Sequence, residues 1–137
     1  IYNLISVNNT CYVWGNNGRT GRIGILLKNQ IKWLFSISGI IKQVQVNDSS
    51  EIYFAMQNAV YNLRSRQIVL IAKETVYGFC FDHSGNIIVS TARGVGIFSS
   101  GRLTILASGF SGILACRNDI IYVSSNAGRK MKILSKF

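Results

Sequence analysis

One pattern of short apolar runs recurs along this chain at a nearly fixed spacing. The run NIIVST, which begins at Asn86, has counterparts in TCYVWG, EIYFAM and DIIYVSS. Val89 lies 35 residues after Phe54 and 34 residues before Val123, and Phe54 lies 41 residues after Val13. A unit of this size is too small to bury a core of its own, so the units are expected to stack against one another.

Each unit consists of runs of β-branched, aliphatic and aromatic residues separated by polar turns. Three units contain four such runs and the last contains three, which predicts about 15 strands. The turns VNNT, NDSSE, DHSGN and CRND are rich in Asn, Asp, Gly and Ser, and they join neighbouring runs as hairpins. No window has a convincing helical period. The chain is therefore predicted to be all-β.

Four-stranded antiparallel units repeated at a fixed period are the sequence signature of a β-propeller. The repeats predict four blades of about 35 residues, at 1–37, 38–74, 75–110 and 111–137, in one propeller segment. A β-trefoil would need three longer units. The larger first spacing is assigned to a loop insertion from Gly15 to Arg22, because insertions belong in loops.

The last unit is predicted to lack its outer strand, which leaves three arrangements open. The four blades form a small closed ring, a half ring within a longer chain, or a half ring that pairs with a second copy. An exposed terminal blade is prone to aggregation, which disfavours an isolated open monomer. The missing initiator Met favours a segment of a longer protein.

The phrase DHSGNIIVSTARGVGIF, from Asp82 to Phe98, resembles the blade core of the broad NHL and gluconolactonase-like (SMP-30) propeller group. LASGFSGILACRNDIIYVSSNAGRKMKIL resembles the join between two such blades, and the resemblance covers nearly the whole chain at the level of architecture. In the gluconolactonase-like members it implies a channel metal held by carboxylate and amide side chains. The matching positions here carry Ser111 and, loosely, Asn126, so we predict no metal site, no cofactor and no catalytic residue.

The chain carries 15 Lys and Arg against 5 Asp and Glu, a formal net charge of +10. Such an excess favours polyanionic partners through long-range attraction. If strands a to d of each blade run outward from the axis, the b-to-c and d-to-a connections share one face, which we call the b–c face. Its acids are fewer than its bases, Glu74 being the one obvious acid. Lys42 lies on this face, and the predicted ligand-binding residues there are Arg19, Arg22, Arg93, Arg129 and Lys130.

The three cysteines, Cys11, Cys80 and Cys116, lie far apart, without a CxxC pair and with one His in the chain. A zinc site is therefore not expected. Their odd number within apolar runs predicts free, buried thiols. Free thiols and the lack of a recognisable signal peptide favour an intracellular compartment. No apolar run approaches the roughly 18 residues that a membrane helix needs.

Other reactive side chains have structural interpretations. His83 lies between Asp82 and Ser84, and three consecutive side chains cannot converge as a catalytic triad must. Three turn aspartates are predicted to bond their own turn backbone: Asp48, Asp82 and Asp119. Four b-strand aromatics are predicted to pack between blades, and would stack on nucleic-acid bases only if exposed: Tyr12, Trp14, Tyr53 and Tyr122.

The sequence therefore predicts a non-catalytic binding or scaffold module that presents propeller loops to a protein or a polyanion such as nucleic acid or an acidic glycan. One alternative is a propeller hydrolase or lactonase whose metal ligands lie mostly outside this segment. A second is a basic structural subunit of a ribonucleoprotein. A second copy, or the remainder of a longer chain, is the expected partner for completing the propeller.

Overall fold

The computed structural model describes residues 2–125 and 130–135 of the chain. These residues form 15 strands and no helix, so this part of the chain contains no helix that could cross a bilayer. The strands make four antiparallel sheets in which the strand order follows the sequence. The all-β class and the strand count are confirmed.

Each sheet is one blade, and we name the blades A to D in chain order. Blade A contains β1 (Tyr2–Val7), β2 (Thr10–Asn17), β3 (Thr20–Leu27) and β4 (Gln30–Ser38). Blade B contains β5 (Ile41–Val46), β6 (Ile52–Met56), β7 (Ala59–Asn62) and β8 (Ile68–Ile71). Blade C contains β9 (Gly78–Phe81), β10 (Ile87–Thr91), β11 (Gly94–Ser99) and β12 (Arg102–Ala107). Blade D has three described strands, β13 (Gly112–Arg117), β14 (Ile120–Ser125) and β15 (Met131–Ser135).

The a-to-b turns show how the sequence sets these hairpins. Blades A and D use two-residue turns with both residues at positive φ, as type I′ hairpins require: Asn8, Asn9, Asn118 and Asp119. In blades B and C, the Oδ1 atoms of Asn47 and Asp82 accept hydrogen bonds from backbone amides two and four residues later. The interpretation of Asp82 as a turn residue is confirmed.

The predicted loop insertion from Gly15 to Arg22 is wrong, because β2 and β3 continue through it as a paired hairpin. Pairing extends to Asn17 and Thr20, so only Gly18 and Arg19 form the turn. Gly18 has a φ of 62°, which glycine adopts without a steric penalty. Glycine and asparagine have low β propensity, but here cross-strand pairing overrides that preference.

Three apolar cores lie between successive blades. The core between blades A and B surrounds Phe54, whose ring centre lies 5.3 Å from that of Phe35 and 5.1 Å from that of Tyr61. Phe79 is buried between blades B and C, and Ile88 between blades C and D. Because each blade face alone is too small to form a core, this burial between blades supplies the main hydrophobic stabilisation.

Hydrogen bonds near the axis connect the inner strands of blades B, C and D. The buried Gln43 side chain accepts the amides of Phe79 at 3.0 Å and Leu114 at 3.2 Å through Oε1. Its Nε2 donates to the Leu114 carbonyl at 2.7 Å, and Gln45 Nε2 donates to the same oxygen at 2.9 Å. Gly78 leaves room for this contact, since a Cβ there would lie 2.7 Å from Gln43 Oε1.

A second side chain connects blade A to blade B. Asn16 Nδ2 donates to the Ile41 carbonyl at 3.0 Å, and Asn16 Oδ1 accepts the Ile41 amide at 2.8 Å. The amide side chain thus bonds both backbone groups of Ile41, as a neighbouring strand would. This pairing fixes the start of inner strand β5 against the end of β2.

Cys80 and Cys116 form a disulfide between inner strands β9 and β13, so the prediction of free thiols is wrong for both. Their Cα atoms are 5.8 Å apart, a usual spacing for disulfides. Cys80 and Cys116 are 36 positions apart, about one repeat, which places them side by side on neighbouring blades. Cys11 is free. Because disulfides are typical of oxidising compartments, the cysteines no longer support an intracellular location.

Candidate functional site

A cavity of 430 Å³ lies between the inner strands at the axis. The residues that line it include Asn3, Leu4, Trp14, Asn16, Lys42 and Ile113. Inner strands begin at the b–c face and b strands end there, and most of these residues lie at those strand ends. The cavity therefore opens toward the b–c face.

Lys42 is the one ionisable side chain among the described residues that line this cavity. It is half-buried and follows Ile41, the residue whose backbone Asn16 holds. A cation beside apolar walls produces a focused positive potential at the mouth of a cleft. Lys42 was not among the five predicted ligand-binding residues. Its position at the start of an inner strand is the sequence signal that could have identified it.

Arg19 lies at the rim of the b–c face. Its side chain is exposed at the tip of the β2–β3 hairpin, and its carbonyl accepts the Gly39 amide at 2.6 Å. Gly39 belongs to the connection that leads into inner strand β5. This bond anchors the hairpin tip beside the entrance to blade B and leaves the guanidinium in solvent.

Arg93 lies in the b-to-c turn of blade C, where the Thr91 Oγ1 accepts its backbone amide at 3.2 Å. Arg93 Nε is 3.8 Å from Glu74 Oε1, and the two side chains are 51% and 31% exposed. The other carboxylate oxygen, Glu74 Oε2, is buried and has no hydrogen-bond partner in the described part of the chain. The acid thus offsets Arg93 only partly, since exposed ion pairs contribute little.

Arg93 and Glu74 also line a groove of 310 Å³ at the outer seam between blades B and C. Lys73 and Arg102 line the same groove, together with the apolar side chains of Ile71 and Phe98. The groove therefore combines three cations, one acid and an apolar wall. An acidic segment with apolar side chains would complement this composition.

The structure places Arg22 apart from the other predicted residues. Its guanidinium carbon lies 4.2 Å from the Trp33 ring centre, and its NH2 group donates to the Tyr2 hydroxyl at 2.5 Å. Arg22 and Tyr2 both pair with Gly15, so they lie on the same side of blade A, the side turned away from blade B. A cation held on an aromatic face is already engaged within the chain.

Lys130 is exposed at the b–c end of blade D. Its backbone amide donates to Ser125 Oγ at 3.2 Å, and its carbonyl accepts the Ser125 amide at 2.8 Å. The hairpin ends are thereby held together beside the predicted site. Arg129, the fifth predicted residue, lies outside the described residues.

The opposite face carries the histidine and most of the acids. His83 Nδ1 lies 2.7 Å from an Asp119 carboxylate oxygen, which links the a-to-b turns of blades C and D beside a cavity of 170 Å³. Both side chains are more than half exposed, so the pair adds little stability. Within residues 2–125 and 130–135, no three His, Cys, Asp or Glu side chains are placed to share a metal ion.

Comparison with known proteins supports the architecture. No protein-family model matches the chain, and no curated protein matches it. A similar solved structure is the crystal structure of the WD40 beta propeller domain of Doa1, with a TM-score of 0.67 and 15% sequence identity. The match covers 98% of this chain and 50% of that one, so the chain spans half its length. The propeller fold is confirmed, and membership of the NHL and SMP-30 group stays a prediction.

Proposed function

We propose that the chain is a non-catalytic propeller module that binds an acidic segment of a partner protein at its b–c face. The observation that carries the proposal is the positive mouth of the axial cavity, where Lys42 is the ionisable side chain among apolar and amide neighbours. Arg19, Arg93 and Lys130 extend the positive charge along the rim of the same face. Among the described residues of this face, Glu74 is the acid that partly neutralises these cations.

A protein segment fits this face better than nucleic acid does. Binding of single-stranded nucleic acid relies on exposed aromatic rings on which bases stack. Tyr12 packs against the core between blades A and B, and so does Trp14, which also lines the axial cavity. The Tyr53 ring centre lies 5.0 Å from that of Phe81. The b-strand aromatics of these blades are therefore used in blade packing. An acidic peptide needs cations and an apolar wall, and the seam groove beside Arg93 supplies both.

We expect charge reversal on the b–c face to weaken the binding of a labelled peptide of Glu and Leu residues. Lys42→Glu with Arg93→Glu should raise the Kd about 10- to 100-fold at low salt, since two attractive charges become repulsive. Arg64→Glu with Arg117→Glu is the matched control, because both residues are exposed on the opposite face and the net charge changes by the same amount. Fluorescence anisotropy measures all three proteins.

Equal weakening by the control with Arg64→Glu and Arg117→Glu would mean that net charge alone attracts the peptide, and the proposed face would be wrong. An oligouridylate of equal charge serves as the competitor. If the RNA binds more tightly and loses affinity with the same double variant, the ribonucleoprotein alternative replaces the proposal.

Glu74→Gln is expected to act in the opposite direction. The substitution removes the carboxylate that lies 3.8 Å from Arg93 Nε, so the guanidinium becomes available to the acidic peptide. We expect the Kd to fall about 2- to 5-fold, while the melting temperature changes little because an exposed ion pair contributes at most about 1 kcal/mol. In an Arg93→Gln background the Glu74→Gln gain should shrink. A full gain there would show that Glu74 acts without Arg93.

A further inference from the structure

The face of blade A turned away from blade B has no neighbouring blade among the described residues. Its inner edge exposes apolar side chains, whereas Val13 at its centre is 2% exposed and Arg22 adds one cation. Leu4, Val13 and Gly24 pair across β1, β2 and β3, so they share this side of the sheet with Tyr2 and Arg22. Leu4 is 64% exposed and Tyr2 is 42% exposed. The Trp33 ring lies against this row, with its centre 5.4 Å from that of Tyr2. We call this surface the A end face.

Blade D has a corresponding surface on the side turned away from blade C. Ala115, Tyr122 and Ile133 form one cross-strand row over β13, β14 and β15. Ile113, Ser124 and Met131 form a second row on the same side. The exposed fractions of the three aliphatic side chains are large: Ile113 49%, Met131 68% and Ile133 62%. We call this surface the D end face.

On the opposite sides of the same two blades, a neighbouring blade is present and the corresponding apolar side chains are buried. Ile23 of blade A packs into the core with blade B, and Leu114 and Val123 of blade D pack into the core with blade C. These side chains are at most 1% exposed. The two end faces therefore have the composition of a blade interface without its second half. Contiguous apolar surfaces of this kind mark interaction sites.

We propose that two copies of the chain close one ring of eight blades, with the A end face of each copy against the D end face of the other. A second copy supplies both missing surfaces at once, because it carries one of each. The matched propeller domain is about twice as long as this chain, so a propeller of that kind has blades beyond those that these four match. Two such contacts related by a twofold axis close the assembly.

The proposal requires the 137-residue chain to be a dimer, with twice the 15.2 kDa monomer mass by sedimentation velocity. Since each copy carries a formal charge of +10, the dimer should strengthen as salt rises from about 0.02 to 0.3 M. Leu4→Glu on the A end face and Ile133→Glu on the D end face should each weaken dimerisation at least about 100-fold, because each places a charge in an apolar contact.

Ile71→Glu is the matched control, since Ile71 is 61% exposed on outer strand β8 and lies on neither end face. It should leave the dimer intact. Mixing Leu4→Glu with Ile133→Glu should restore a heterodimer, because one of its two contacts then joins unsubstituted A and D end faces. Circular dichroism checks that every variant is folded.

A monomeric chain at about 100 µM would overturn the proposal, and so would a ladder of higher oligomers, which indicates contacts that do not close. If the mixed variants form no heterodimer, the A end face does not pair with the D end face. Leu4 lines the axial cavity, so peptide binding is measured on the Ile133→Glu variant, which alters neither that cavity nor the seam groove. Peptide binding and ring closure can therefore fail independently.

Discussion

We expect replacement of Gln43 by methionine to lower the free energy of unfolding by about 3 kcal/mol, the largest effect of any single substitution considered. Methionine has a similar length but no amide, so the buried backbone amides of Phe79 and Leu114 lose their acceptor. An unsatisfied buried donor costs about 1–3 kcal/mol. Urea unfolding followed by circular dichroism measures the change, with the slope m expected to stay constant.

Gln45→Met is the control for this substitution. Gln45 donates one hydrogen bond to the Leu114 carbonyl, and Gln43 donates to the same oxygen. The carbonyl therefore keeps a partner when Gln45 is lost, and we expect a cost below about 1 kcal/mol. Equal costs for the two variants would contradict the role assigned to Gln43 in joining three inner strands.

Removal of the disulfide should have an effect of similar size. Cys80→Ala with Cys116→Ala opens a loop that spans 36 residues, and the entropy regained by the unfolded chain corresponds to about 3 to 4 kcal/mol. For a chain of this length the melting temperature should fall by about 10 °C. Reductant should lower the melting temperature of the parent chain similarly and leave that of the double variant unchanged.

Cys11→Ala serves as the comparison, because Cys11 is free and its loss should not alter the response to reductant. Thiol titration under denaturing conditions gives an independent count. The oxidised chain should show one reactive thiol, and reduction should raise the number to all three cysteines. Three reactive thiols before reduction would show that Cys80 and Cys116 do not pair.

The strands and turns were predictable because they depend on local composition. Alternating β-branched and polar residues place the strands, and the Asn and Asp side chains at Asn8 and Asp82 build the turns by local geometry. The hairpin around Gly18 was not predictable in this way. Its glycines and asparagines favour a loop, and pairing between β2 and β3 decides the outcome.

Contacts between blades were harder to predict, although the repeat contained part of the signal. Cys80 and Cys116 lie 36 residues apart, as do Gln43 and Phe79, and both separations equal about one repeat. Residues one repeat apart on inner strands are neighbours at the axis. The stacking of Arg22 on Trp33 could not be predicted from the repeat spacing, because contacts between side chains of one sheet depend on strand register.

The bond between Gln43 and Leu114 also bears on how the chain is made. In repeat proteins each unit usually contacts only its immediate neighbours. Here the two partners lie 71 residues apart. The hydrogen bond from Gln43 to the Leu114 carbonyl can therefore form only after the start of the fourth sheet has left the ribosome. The fourth sheet therefore completes the hydrogen bonding of an inner strand that was synthesised two blades earlier.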